Sequence, residues 1–472
     1  MEKNFILNRR TVLGGAAALG TAGVLAACGS SKDSKATTKG ATVGTDAKEL
    51  YDLGEAAVSE LKDGGTLRLS VTALGPDFNL FGTGSTAYTQ AALSPMYYSG
   101  LWQANPMGKR TLSTDFAKSF EIAEENGLPV VSIELNPQAK FNDGTPVDYK
   151  ALQATWNILK SVDGDYKIET SGIYASVGSV ERDGDDFKVK VTFAKPYYPL
   201  NILFGEILHP ALLDKNLFNE GFVNNPHPEY AAGPFTIAEG GWNSSEKTLT
   251  LTRNEKWWGT KPLLERITWR EMSSQAEQAA FKNNEIDYAD ASTLSSYNEL
   301  SSVSNIDIRK GSALAVGNYE INPEKMPLPV RRAFVAALNR DQLLKLRYEK
   351  LGWKENLPGS MCMLPMQEGY QDNYPTKLGK DVATKILEDA GYTKNGDYYE
   401  KDGVKASYPV TTFGTDPVVS STAQFLTQQM KEIGIELSID NHGASEMASI
   451  ISAKNFTIKS GGYGITTSPV DA

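Results

Sequence analysis

The chain has 472 residues, enough for two or three domains, and carries a net charge of −10 at pH 7. So acidic a balance argues against a nucleic-acid reader, whose affinity rests on a basic footprint. Its two cysteines, Cys28 and Cys362, build no disulfide framework, and a chain of this size has ample core without one.

The first element in chain order is a targeting segment. Arg9-Arg10 precede an uncharged run from Thr11 to Ala27 that ends in Leu25-Ala26-Ala27-Cys28. A basic start, a short apolar stretch and small residues at a cleavage point read as an export signal. The stretch is too short and too rich in Gly and Ala to span a bilayer. Its ending resembles the lipobox of bacterial lipoproteins, where the cut falls before a cysteine that then carries lipid. The start also resembles a twin-arginine signal. Residues 1–27 hold Lys3, Arg9 and Arg10 against Glu2, so the mature chain from Cys28 is about two charges more acidic. No second apolar run is long enough to cross a membrane.

From Gly29 to about Asp46 the chain is Ser, Thr, Lys, Ala and Gly. Such a segment buries too little to fold and reads as a tether. Order is expected from Gly64-Gly65, where Thr66-Leu67-Arg68-Leu69-Ser70-Val71 alternates with a strand's period. Val130–Leu135, Lys188–Phe193 and Thr248–Leu251 read the same way. Thr145-Pro146-Val147-Asp148 predicts a helix start, with Leu152, Trp156 and Leu159 as its apolar stripe.

The last third carries a helix over Val382–Ala390 stopped at Gly391, then a β-α-β pattern. Tyr408–Phe413 is its first strand. A helix with Ala423, Leu426, Met430 and Ile433 stops at Gly434, and Ile435, Leu437 and Ile439 alternate as the return strand. A crossover of this length implies parallel strands covered by helices.

Catalytic signatures are missing. His209, His227 and His442 form no close metal-ligand pair, and neither a G-x-S-x-G elbow nor a phosphate loop occurs. Cys362 has apolar neighbours and reads as a packed thiol. Neither a metal nor a cofactor is called for.

Several motifs occur together in order over residues 65–465. They are Phe141-Asn142-Asp143-Gly144-Thr145-Pro146-Val147-Asp148, Ala232-Gly233-Pro234-Phe235, and Arg253-Asn254 with Trp257-Trp258-Gly259. Asn283-Asn284-Glu285-Ile286-Asp287, Val330-Arg331-Arg332-Ala333 through Leu338-Asn339-Arg340, and Ala383–Tyr392 follow. In this order they resemble the bacterial extracellular solute-binding proteins of family 5, the peptide-binding group that serves ABC transporters. On the residues themselves, Asp143-Gly144 suits a turn with positive φ at glycine, and Arg253-Asn254 suits tying a strand end to a loop. Trp257, Trp258 and Trp269 suit core packing.

The resemblance implies an α/β, two-lobe periplasmic-binding-protein-like fold with an inserted subdomain. It implies a substrate-binding lipoprotein, not an enzyme, that captures oligopeptides between its lobes by hinge closure and delivers them to an ABC permease. The expected location is the extracytoplasmic face of the cell membrane, anchored at Cys28, as a monomer. Alternatives are an oligosaccharide or metal chelate as solute, a surface peptide-signal receptor uncoupled from import, and, behind these, a secreted hydrolase.

The expected segments are an export signal over 1–27, a lipid-anchored linker over 28–62, and lobe I over 63–310 with an insertion at about 100–230. Lobe II follows over 311–472. Expected ligand residues are Gly462, Tyr463, Gly464, Thr466 and Thr467, then Phe78 and Asn79, then Phe413. Two departures from the family pattern stand out. Many relatives carry Gly-Trp-x-x-Asp, whose Asp pairs with a peptide's amino terminus; here Gly462-Tyr463-Gly464-Ile465-Thr466 puts a neutral hydroxyl in its place. The chain also stops at Pro469-Val470-Asp471-Ala472, where the resemblance leads one to expect a closing strand and helix.

Overall fold

The computed structural model describes residues 51–464, apart from 107, 161–163, 169–170, 349–350, 352–355, 368, 415–416 and 444–445. Cys28, the tether at 29–46, Thr466 and Thr467 lie outside these described residues. The described chain divides into two compact units, one over Asp52–Lys310 and one from Gly311 onward.

The first unit contains ten strands among its described residues. They are β1 (Thr66–Val71), β2 (Trp102–Ala104), β3 (Arg110–Leu112), β4 (Ala117–Glu125), β5 (Leu128–Leu135), β6 (Val177–Asp183), β7 (Asp185–Phe193), β8 (Phe235–Asn243), β9 (Thr248–Arg253) and β10 (Arg266–Glu271). One sheet has the order β1-β10-β9-β8, with β1 and β10 parallel. A second, antiparallel sheet has the order β4-β5-β7-β6. Both follow from alternation: in β7, Val189, Val191 and Phe193 are buried while Lys188 is exposed.

The helix Tyr149–Leu159 packs beside β6 and β7, but it departs from the sequence expectation at two points. Its N-cap is Asp148, whose side chain accepts from the Lys150 amide. Thr145 and Pro146 belong instead to a tight loop, where the Phe141 amide donates to Thr145 O at 2.8 Å and Pro146 bridges Lys140. Gly144 closes that loop at φ +97°, as the Asp-Gly pair predicts. The buried face is also rotated: Leu152, Thr155 and Ile158 are fully buried, whereas Trp156 and Leu159 are only half-buried. Thr155 is tolerated there because its hydroxyl is satisfied on both sides. It donates to Ala151 O and accepts from the Leu208 amide, each at 2.8 Å.

Ordered contacts begin earlier than the expected Gly64. The Asp52 amide donates to Lys310 O at 2.8 Å, and Arg309 lies 3.2 Å from the Asp52 carboxylate.

In the second unit β11 (Ala315–Ile321), β15 (Ser407–Phe413), β16 (Glu436–His442) and β17 (Ile458–Gly464) form a sheet of order β11-β17-β15-β16. The three short strands between them, β12 (Thr393–Asn395), β13 (Tyr398–Lys401) and β14 (Val404–Lys405), make a small antiparallel sheet. The helices Leu328–Ala337, Lys380–Asp389 and Pro417–Glu432 cover the main sheet and enclose a core of Val330, Phe334, Leu387, Leu426, Met430 and Ile458. The expected β-α-β unit is present, with β15 and β16 parallel from Ser407↔Glu436 to Phe413↔His442.

Candidate functional site

Three separated motifs of the first unit converge on Asn254. Its side-chain amide donates to Asn142 Oδ1 at 2.8 Å and to Gly233 O at 2.7 Å, and its Oδ1 accepts from the Lys256 amide. Asn142 in turn donates to Pro228 O at 2.8 Å. Arg253 reaches Leu264 O, Leu263 O and Asp63, tying the end of β9 to the approach to β1. These groups satisfy one another and are scaffold. Trp257 and Trp258 pack against the same core, with the Trp258 indole donating to Asp115 O at 2.8 Å.

Phe78 and Asn79 fall into the same scaffold. The Phe78 ring is fully buried and packs edge-on to Trp242, with centroids 4.8 Å apart. Asn79 is 2 % exposed; it donates to Phe218 O and accepts from the Phe81 amide. Its own amide is held by Asp77 Oδ1 and the Phe78 amide by Phe222 O. Side chains and amide N–H groups at both positions are thus engaged within the unit.

The second unit offers more. Its sheet brings Phe413 and β17 into one framework. Phe413 ends β15 beside His442, the last residue of β16, with ring centroids 6.3 Å apart. The carboxyl ends of parallel strands are where open α/β sheets leave a crevice for ligand. His442 Nε2 lies 3.0 Å from Asp440 Oδ2 and Nδ1 lies 3.6 Å from Glu446 Oε1. The hydrogen bond with Asp440, reinforced by both carboxylates, holds the imidazole pKa above its ordinary value.

β17 carries the clearest geometry. Along its whole length it pairs antiparallel with β11, from Ala315↔Gly464 to Ile321↔Ile458. On its other side it pairs with β15 only at Val410↔Ile458 and Thr411↔Lys459. Among the described residues, Ser460–Gly464 therefore has one strand partner and one open edge. Glycines 461, 462 and 464 on this edge are exposed. A Cβ on Gly462 would come within 2.8 Å of Val316 O, so the β11 contact requires glycine there. A Cβ on Gly464 would meet nothing within 4 Å, and one on Gly461 only the flexible end of Lys459. The fold does not need those two glycines; they keep the approach to the edge bare. At the inner end of this stretch the buried Lys459 ammonium pairs with Glu320 at 2.8 Å.

Sequence reasoning named β17 and Phe413 as ligand-facing but not Asp440, Lys459 or Glu320, and it met His442 only as an isolated histidine. Only the pairing of distant strands brings these four to the site. No group of three His, Cys, Asp or Glu among the described residues is placed to hold a metal ion. No helix among them is long and apolar enough to cross a membrane.

A mixed sheet with a bare, glycine-lined edge beside the ends of parallel strands leaves room for a further strand to pair. Residues 111–472 match the middle region of the bacterial extracellular solute-binding proteins, family 5, and the chain belongs to that family. The oligopeptide-binding protein OppA of Mycobacterium tuberculosis is 27% identical over 414 residues, spanning 86% of this chain and 68% of its own. Among solved structures, the periplasmic EDTA-binding protein EppA superposes with a TM-score of 0.76 at 20% identity, covering 87% of this chain and 80% of that one. AppA from Bacillus subtilis, in complex with a nonapeptide, gives 0.64 at 22% identity, covering 86% and 81%. The fold is thus α/β and of the periplasmic-binding-protein type.

Proposed function

We propose that this chain is the substrate-binding component of an ABC importer and that its solute is an oligopeptide. The observation that carries this reading is the open edge of β17 at Ser460–Gly464. An extended peptide can add there as a further strand, held by its main chain, so that many side-chain sequences are accepted. The similarity to a protein named for oligopeptide binding supports the same solute class. We further propose that lipid on Cys28 holds the protein at the outer face of the membrane, with the residues between Cys28 and the first ordered contact at Asp52 as tether, and that a permease receives the solute.

Calorimetry of the full chain against a mixed peptide library tests this directly. Heat is expected from peptides of several sequences, and peptides N-methylated at backbone nitrogens should bind at least tenfold more weakly, about 1.4 kcal/mol. No heat from any peptide, or indifference to N-methylation, would remove the reading. Because EppA is named for EDTA, metal–EDTA complexes belong in the same titration, and binding of these alone would favour a chelate.

A further inference from the structure

A recess of about 170 Å³ opens in the first unit where Gly205-Glu206 passes the segment Tyr97–Trp102. It is the size of one side chain, well below the roughly 300 Å³ at which whole-ligand pockets begin. Its walls include Tyr97, Tyr98 and Trp102, with Gln90 and Glu206.

The backbone explains how the carboxylate reaches this place. Gly100 and Gly205 cross so closely that a Cβ on Gly100 would lie 1.8 Å from Gly205 O. The Leu101 amide donates to Phe204 O at 2.9 Å, and the Ile207 amide donates to Ser99 O. Phe204, fully buried, takes a left-handed φ of +54°, a conformation that costs a bulky residue energy. Ile207 and Leu208 are buried as well, which leaves Glu206 the exposed residue in the run. The walls are fixed from behind: the Trp102 indole donates to Leu203 O at 2.9 Å, and the Tyr97 hydroxyl to Pro226 O at 2.8 Å.

Glu206 makes no hydrogen bond or ion pair with any described residue. Desolvation by the surrounding protein raises its pKa, although part of its surface stays in contact with solvent, and the charge of Arg110 opposes the rise. The fold thus puts Glu206, an acidic residue with no hydrogen-bond or ion-pair partner among the described residues, on the wall of a concave recess beside aromatic side chains. Aromatic faces and a carboxylate together are complementary to a positive charge.

We infer that Glu206 and the aromatic walls beside it form a subsite for a cationic group of the ligand, an alkylammonium or a guanidinium. The inference rests on the oligopeptide reading above. Such a group comes either from a peptide's free amino terminus or from a Lys or Arg side chain.

The test is calorimetry of the full chain and its Glu206→Gln variant with matched peptides. One pair differs by N-terminal acetylation, the other by Lys against norleucine. The wild type should prefer the cationic member of one pair by about tenfold, and that pair identifies the source of the charge. E206Q should bind both members alike, with affinity for the neutral one changed less than twofold. E206D, which keeps the charge on a shorter stem, should retain part of the preference, which a purely packing role would not produce. Equal binding of both members by the wild type overturns the subsite, as does a full preference in E206Q with an unchanged melting temperature. Heat from no peptide at all overturns the oligopeptide reading and this subsite with it.

Discussion

Asn254 donates to Asn142 Oδ1 at 2.8 Å across 112 residues of sequence, and both side chains are buried. Each amide is engaged at both ends, so truncating either leaves buried partners unsatisfied. Asn254→Ala and Asn142→Ala should each cost about 1–3 kcal/mol in urea denaturation. Because the two share one network, the double variant should cost less than the sum by at least about 0.5 kcal/mol. Strict additivity would separate the two motifs energetically.

His209 gives the first unit a pH dependence. Its buried ring packs on Phe141 and Tyr230, and Nε2 lies 3.1 Å from Asp143 Oδ2. Burial lowers the His209 pKa, while Asp143 and Glu229 pull it upward less strongly. Below its ordinary value of about 6.5 the unfolded chain therefore binds the proton more readily than the folded one, and stability falls as pH drops through that window. For Asp143, burial pushes the carboxyl up, but the Thr145 amide and hydroxyl and then His209 bring it below its ordinary value. Its contribution is complete above about pH 3.8 and fades as pH falls through the lowered folded value. Denaturation midpoints between pH 8 and 5 should decline in the wild type and flatten in His209→Gln. An equal decline in both would assign the effect elsewhere.

Gly100→Ala drives a methyl group into a backbone carbonyl that cannot swing aside. A loss on the order of 3 kcal/mol is expected in a thermal or urea melt. Gly317→Ala, whose new Cβ would meet only Gly461 O at 3.9 Å, should stay within about 0.5 kcal/mol. Equal effects would contradict the close crossing.

The Lys459–Glu320 pair is asymmetric, with the Lys459 side chain 4% exposed and that of Glu320 37%. Removing the exposed partner takes an ion pair from a buried ammonium, whereas removing the buried one takes it only from a part-exposed carboxylate. Glu320→Ala should therefore destabilise by about 2 kcal/mol and Lys459→Met by clearly less, both read from urea midpoints. The reverse order would show that Glu320 is not what compensates the lysine.

The β15–helix–β16 unit was legible because its signals are local. Tyr408 to Phe413 reads as a strand, the helix shows a 3.6-residue stripe, and Gly434 marks its stop. The start near Thr145 misled because Thr-Pro is an equally good loop pair, and the Phe141–Thr145 hydrogen bond decides for the loop. Phe78 and Asn79 were expected to face ligand, and nothing local shows that Trp242 and Phe218 O engage their side chains. The open edge of β17 was invisible for the same reason: which side of a strand stays unpaired depends on partners far away in sequence. Glu206 had no sequence signal at all, since its position is created by the passage of Gly205 across Gly100.

The bare stretch of β17 has a cost when no solute is present. A strand edge without a partner is a template for any extended chain, including the same strand of a neighbouring copy. Glycines 461, 462 and 464 temper this hazard, because a strand with few side chains gains little contact area and loses the most chain entropy when a stray partner settles on it. The composition that keeps this edge bare thereby also makes it a poor template for stray strands.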